Sequence, residues 1–336
     1  MGIDLGTANT LVYVSGKGIV LQEPSVVVID ENRRDEALEV GEEAKKMLGR
    51  TPKNVIAVRP LHDGVISDVE AVELMLKRFI KIVNGGKSLM TPRIIIGIPS
   101  GVTKLERGAV SEAAIKAGAR EVYLMDEPMA AAIGAGLPVG EATGNMIVDI
   151  GGGTTEVAVL SFQGTVISES VRVAGDELTE SIIKYLRKAH NLVIGEWTAE
   201  DIKIRIGSAY PTQDQEEPMM EVRGIHLLSG LPRTVTLRGE EIRECMLDSL
   251  IVIIEAIKRT LERTPPELAS DIIDRGIMIA GGGALLRGID TLISQQTGII
   301  THIAADPLCC VVLGIGRVLE NFDQLKRTLT GPYTDI

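Results

Sequence analysis

Apolar positions along the chain alternate with polar ones, run together, or recur every three to four residues, and each pattern predicts a different kind of element. Gly2-Ile3-Asp4-Leu5 is a very short strand that breaks into a polar turn, and Leu11-Val12-Tyr13-Val14 predicts a second strand. Ser15-Gly16-Lys17-Gly18 turns the chain back into Ile19-Val20-Leu21, completing a meander. A strand from Ser25 to Ile29 is followed by a charged stretch, Glu31 to Glu39, that reads as a loop. A helix near Glu42 to Leu48 then stops at Gly49. Val72, Leu76, Phe79, Ile80 and Val83 share one helical face, and Gly85-Gly86 ends it. The run from Arg93 to Ile98 predicts a buried strand capped by Pro99. Thr103 followed by Glu106 is the capping box of a helix running to Gly118.

The opening pattern then returns. Asn145 to Ile150, the turn Gly151-Gly152-Gly153-Thr154-Thr155, Glu156 to Leu160, a turn at Gln163-Gly164 and Thr165 to Ile167 repeat the order found over residues 4–20. The shared pattern is Asp-apolar-Gly-x-x-x-Thr, strand, glycine turn, strand, so the chain contains an internal duplication. An α+β stretch follows, with a helix from about Leu178 to His190, the segment Glu196 to Gly207, and strands near Met219 to Val222 and Thr234 to Leu237. A long amphipathic helix places Leu250, Ile253, Ile254, Ile257 and Leu261 on one face and stops before Pro265-Pro266. A strand from Gly276 to Ala280 runs into Gly281-Gly282-Gly283-Ala284 and a helix from Leu285, a junction suited to facing a phosphate or nucleoside.

Composition narrows the function. The 336 residues amount to about two domains, and 45% hydrophobic with 24% charged residues is ordinary for a folded chain. Aromatics are only 3%, too few for stacking platforms, and the net charge of -11 is the wrong sign for a phosphate backbone, so nucleic acid is not the expected partner. Any nucleotide has to be held by backbone N–H groups and a metal. Cys245, Cys309 and Cys310 form no C-x-x-C pair and fit a reducing cytoplasm, and no two of the four histidines have zinc-ligand spacing. No apolar run reaches the roughly 18 residues of a membrane span, so the chain is expected to be neither secreted nor transmembrane.

Three glycine turns after strands, two of them repeated with an aspartate at the strand end, point to a nucleotide cleft. Glycines let N–H groups approach phosphate oxygens, threonines add hydroxyl donors, and a carboxylate at each strand end can hold hydrated magnesium. Other nucleotide motifs fail. Gly85-Gly86-Lys87-Ser88 ends like a P-loop, but Lys81 stands where its first glycine belongs and a helix precedes it. No G-x-G-x-x-G lies between a strand and a helix.

The repeated hairpins and the Gly281 turn resemble the actin, sugar kinase and heat-shock chaperone ATPase superfamily, and within it the chain resembles the MreB family of bacterial actins. The likeness covers essentially the whole chain. It rests on Asp4-Leu5-Gly6-Thr7-Ala8-Asn9-Thr10, Arg59-Pro60 with Asp63-Gly64-Val65-Ile66, Glu127-Pro128-Met129-Ala130-Ala131-Ala132-Ile133-Gly134, Asp149 to Glu156, Gly230-Leu231-Pro232-Arg233, Pro265-Pro266-Glu267-Leu268 and Gly281 to Leu286. The resemblance implies an α/β actin-like ATPase fold of two duplicated RNase H-like lobes, each with a smaller insertion, closing over ATP and magnesium. The first lobe would comprise residues 1–25, 63–142 and 314–336 with insertion 26–62, and the second residues 143–177 and 243–313 with insertion 178–242.

Roles follow from the resemblance. Thr7, Ala8 and Asn9 would bond the β- and γ-phosphates, with Gly152, Gly153 and Thr154 opposite. Asp4 and Asp149 would orient the metal's waters, Glu127 with Thr154 would position or polarise the attacking water, Glu200 and Lys203 would take the ribose hydroxyls, and Gly282, Gly283 and Ala284 would line the base. Glu127 before Pro128 also fits a helix N-terminal carboxylate, and Glu200 with Lys203 an exposed i,i+3 ion pair. The family pattern adds a membrane contact, for which Leu89-Met90 stand in the matching loop of the first lobe, though two apolar loop residues also fit ordinary packing. The expected function is an ATP-dependent filament, bound to the inner face of the membrane, that organises cell-wall elongation through membrane-bound elongation proteins. Its slow ATPase would act as a timer. The rivals are a small-molecule kinase of the same superfamily, a chaperone ATPase and a plasmid-partitioning actin.

Overall fold

The structure, a computed structural model, describes residues 1–85, 91–211 and 217–334. Two sheets organise it. The first has six strands in the order Leu329–Tyr333, Glu121–Asp126, Arg93–Ile98, Gly2–Leu5, Asn9–Val14, Gly18–Pro24. The second has five, Gly164–Val171, Thr155–Ser161, Asn145–Ile150, Ile277–Ala280, Thr301–Ile303. In each, the strand ending in the repeated aspartate pairs antiparallel with its own hairpin partner and parallel with a strand from further along the chain. Asp4 thereby lies beside Gly97, and Asp149 beside Ala280. The duplication read in the sequence is a duplication of sheet topology, and a small residue flanks each aspartate.

Every residue of Asn145–Ile150 is buried, which is why this strand reads as a continuous apolar run around one aspartate. Two three-stranded sheets stand apart, one of Arg33–Val40, Val27–Asp30 and Val55–Val58, the other of Leu192–Val193, Met219–His226 and Pro232–Arg238. The capping box at Thr103 is present, with Thr103 Oγ1 accepting from the Glu106 N–H and the Glu106 carboxylate accepting from the Thr103 N–H.

Two expectations are corrected. The charged stretch Glu31 to Glu39 is largely strand, Arg33–Val40, at an edge of its sheet. Charges on an edge strand oppose further pairing, while Ala37 and Val40 supply its apolar contacts with the core. After Ala280 the chain makes a 3-10 turn, Gly282–Leu285, and passes through left-handed Gly288 before the helix Ile289–Thr297 begins, so that helix does not start at Leu285.

Besides two small apolar clusters, three large ones fill the molecule among the described residues. One lies in each lobe, and the third joins them, drawing Met125, Met129 and Ile133 together with Ile147, Ala158, Val311 and Ile315. At its centre the helices Glu127–Ala135 and Cys310–Glu320 cross backbone to backbone. A Cβ on Gly134 would stand 1.8 Å from the Cys310 carbonyl oxygen, and one on Gly314 would stand 1.8 Å from that of Ala130. Only glycine permits this approach. Arg317 also donates to the Ile133 carbonyl across the crossing. Among the described residues no helix is long and apolar enough to cross a membrane.

Candidate functional site

Each aspartate-bearing strand ends in a turn closed the same way. Gly6 N–H donates to Asn9 O at 3.1 Å in the first hairpin, and Gly151 N–H donates to Thr154 O at 2.9 Å in the second. Outer carbonyls of the turns are satisfied from behind: Ser25 N–H donates to Ala8 O (3.0 Å) and Ser25 Oγ to Gly6 O (2.6 Å). In the second turn Gly175 N–H donates to Gly151 O (3.2 Å) and Asp176 N–H to Gly152 O (2.8 Å). Among the described residues, the N–H groups of Thr7, Ala8, Gly152, Gly153 and Thr154 donate to no carbonyl of the chain. They are preset donors, the requirement for a phosphate cradle.

The turns face each other at contact distance. A Cβ on Gly153 would lie 2.8 Å from Thr7 Oγ1 and 2.9 Å from the Asp63 backbone, so this position has no room for a side chain. The Asp63-Gly64 turn of the first lobe sits between the hairpins, with Gly64 N–H donating to Thr7 Oγ1 at 3.1 Å. Farther out, Arg59 pairs with Glu196 at 2.6 Å and lies 3.9 Å from Asp176, at the starts of two second-lobe helices.

Four carboxylates converge beneath the turns. Asp149 is buried, and burial, then the charges of Asp4 and Glu156, push its pKa up to about 8. Burial alone pushes Asp4 up to about 7. Glu127, first residue of its helix, is raised well above the carboxylate range by burial and then by Asp4, Glu156, Asp149 and Asp126. Glu156, buried opposite Asp149 in the strand pair, is also raised chiefly by burial. Asp126 has Arg107 at 3.1 Å, whereas no ion pair forms to Asp4, Glu127, Asp149 or Glu156 among the described residues. Glu156 accepts bonds from Ser100 and Ser170, whereas buried Asp4, Glu127 and Asp149 are costly unless compensated. No three acidic side chains among the described residues are grouped to ligate a metal directly, so a divalent cation suited to them would be held through its waters.

On the second-lobe side, Lys203 Nζ bonds Glu200 at 2.7 Å, Gly175 O at 2.8 Å and Thr179 Oγ1 at 2.9 Å. Burial alone would raise the Glu200 carboxyl, but Lys203 and then Thr179 outweigh it and hold it below its usual value. The pair is partly buried and tied to the residue that donates to Gly151, so it is not the exposed ion pair of the alternative reading. Gly281 presses on Asp149 and Gly283 on Ile150, which brings the Gly282-Gly283-Ala284 turn beside the second hairpin. The structure therefore gathers Asp4, Thr7, Ala8, Glu127, Asp149, Gly152, Gly153 and Thr154, with Asn9 at the base of its hairpin and Glu200, Lys203 and the Gly282 turn flanking them. Leu89 and Met90 lie outside the described residues.

The sequence reading gave no role to Ser25, Ser100, Asp176 or Glu156. For Glu156 a signal existed: in the duplicated pattern it stands where the first copy has Leu11, so one repeat carries a carboxylate at a position the other fills with packing.

The MreB/Mbl protein family matches residues 1–327. The chain belongs to the MreB/Mbl family. Among its relatives, the cell shape-determining protein Mbl of Bacillus subtilis (strain 168) is 50% identical over 331 residues, 98% of each chain. The cell shape-determining protein MreB of Escherichia coli (strain K12) is 54% identical over 328 residues, 96% of this chain and 94% of that one. Of solved structures, MreB5 of Spiroplasma citri bound to ADP superposes with a TM-score of 0.90 at 39% identity, covering 97% of each chain. The MamK double helical filament, at 23% identity, has a TM-score of 0.79 over 95% of this chain and 98% of that one, a likeness of fold. The fold of this MreB/Mbl chain is that of the actin-like ATPases, as the resemblance implied.

Proposed function

We propose that this MreB/Mbl protein is an ATP-dependent filament-forming actin that binds the inner face of the membrane and organises cell-wall elongation, with slow ATP hydrolysis coupled to assembly. The observation that carries the nucleotide part is the pair of facing turns whose N–H groups are, among the described residues, uncommitted, set above carboxylates with no cation among the described residues beside them. Support for ATP comes from MreB5 of Spiroplasma citri, whose structures hold ADP and AMPPNP. Support for the cell-shape role comes from the names of the Bacillus and Escherichia relatives.

In this reading Thr7, Ala8 and Asn9 grip the β- and γ-phosphates from one lobe, and Gly152, Gly153 and Thr154 from the other, so the triphosphate draws the lobes together. Asp4 and Asp149 would hold magnesium through its waters, and the ion would neutralise the phosphates, since neither turn contains a lysine or arginine. Glu127 and Thr154 orient the attacking water, and Glu200, Lys203 and the Gly282-Gly283-Ala284 turn hold the nucleoside. The two lobes with their insertions take the boundaries given by the resemblance. Hydrolysis then loosens the closed form and times filament turnover.

Sedimentation tests the reading. The protein should pellet as polymer with ATP and magnesium and remain in the supernatant with ATP and EDTA; equal pelleting in both would remove the nucleotide–metal switch. Phosphorylation of an added small molecule would instead favour the kinase alternative.

A further inference from the structure

Glu156 is a buried carboxylate used by neither phosphate grip nor metal, and its partners lie on both lobes. Its Oε2 accepts from the Ser100 N–H at 3.1 Å and from Ser100 Oγ at 2.5 Å, while Oε1 accepts from Ser170 Oγ at 2.5 Å. Glu156 and Ser170 sit on adjacent strands of the second sheet, and Ser100 follows the strand Arg93–Ile98 of the first. The Ser100 loop is also packed into the site. Gly64 lies between Pro99 and Thr154, so close that an added Cβ would stand 2.9 Å from Pro99 Cγ and 2.7 Å from Thr154 Cγ2. Beside it, Ile98 pairs with Asp126, the residue before Glu127. Glu127 is thus placed by the first sheet and Thr154 by the second, and the distance between them depends on how the Ser100 loop seats on the second lobe.

The two repeats differ at this point. Leu11, the counterpart of Glu156, packs in a small apolar cluster with Cys309 and Val312, beside Tyr13, Ile19 and Leu313, so its position is filled by apolar packing where Glu156 accepts hydrogen bonds. A carboxylate is therefore no requirement of the hairpin itself.

We propose that Glu156 is a positioning residue that fastens the Pro99-Ser100-Gly101 loop of the first lobe to the second and so sets the spacing of Glu127 and Thr154 about the attacking water. The inference rests on the assignment of Glu127 and Thr154 to that water. It acts on the chemical step rather than on ATP binding, because the phosphate-gripping N–H groups belong to the turns and not to this loop.

The test compares Ser100→Ala, Ser100→Thr, Ser170→Ala and Glu156→Gln in the full chain, reading kcat and KM for ATP with magnesium and thermal unfolding. Ser100→Ala and Glu156→Gln should lower kcat about ten-fold while KM moves less than about three-fold. Ser100→Thr keeps the hydroxyl and should recover most of the turnover. Ser170→Ala removes a bond within one lobe and should cost less turnover than Ser100→Ala. Normal kcat in Ser100→Ala, or equal losses in Ser100→Ala and Ser170→Ala, would overturn the inference. Should Glu156→Gln fail to fold, the Ser100 pair still decides. Glu127→Ala run alongside separates the two readings. Unchanged turnover there overturns the water assignment and this inference with it, whereas a slow Glu127→Ala beside a normal Ser100→Ala overturns the fastening alone.

Discussion

Glu127 stands first in its helix, where the macrodipole favours a charged carboxylate, yet burial and four neighbouring acids push its pKa the other way. A carboxyl that holds its proton more firmly than a free glutamate suits exchange of a proton with water. Glu127→Ala should leave ATP affinity nearly intact, because backbone donors hold the phosphates, and lower turnover by about 10²- to 10⁴-fold; titration of nucleotide binding beside phosphate release checks both halves. Asp4 and Asp149 yield a pH dependence. Their folded pKa values, about 7 and about 8, lie above the 3.8 of a free aspartate, so between about pH 4 and 8 the folded chain binds more protons than the unfolded one. Stability in chelator should therefore fall as pH rises through that window. Thermal melts from pH 5 to 9 should slope downward, and Asp149→Asn or added magnesium with ATP should flatten the slope. A flat profile in EDTA would show that the cluster is relieved in some other way.

At the scale of elements, legibility follows periodicity. The helix Val69–Val83 appears with both ends where its apolar face and flanking signals place them, and the repeated hairpins were legible because a pattern seen twice is its own control. Elements whose shape depends on distant partners were not. Arg33–Val40 is a strand because a neighbour pairs with it, despite its charge, and Cys310–Glu320 carries two glycines that weaken a helical reading. One of them, Gly314, is needed by the crossing with Glu127–Ala135. Of the candidate site, the two glycine turns and their aspartates were readable, whereas the bonds of Ser25, Ser100 and Asp176 join residues far apart in sequence. Gly134→Ala or Gly314→Ala forces a methyl onto a backbone oxygen and should cost about 1–3 kcal/mol or more. The same change at Gly108, in the helix Lys104–Lys116 with open space around it, should stabilise by roughly 0.5–1 kcal/mol through helix propensity. Denaturant melts of the three variants should show opposite signs; destabilisation by all three would remove the packing explanation.

For the whole molecule, a net charge of -11 opposes adsorption to anionic lipid, so the membrane binding proposed above would have to come from apolar insertion, for which Leu89-Met90 are the proposed residues. At about 25 cal/mol per Å² two such side chains contribute only a few kcal/mol, too little to hold a monomer, whereas a filament repeats the contact once per subunit. Lipid co-sedimentation should therefore require assembly, and Leu89→Ser with Met90→Ser should abolish it while leaving ATP hydrolysis unchanged. Liposome binding by assembly-blocked monomers would exclude this loop as the anchor. The order of strands in the first sheet carries a different consequence. Glu121–Asp126 is flanked on one side by Arg93–Ile98 and on the other by Leu329–Tyr333, and the helix Cys310–Glu320 that packs on Gly2–Leu5 also comes late in the chain. On the ribosome, the first two-fifths of the protein thus emerges as a sheet with a raw edge and an uncovered face, and it stays so while the second lobe is being made. The second sheet, whose strands all fall between Asn145 and Ile303, can finish first, and the sheet that begins the chain is completed last.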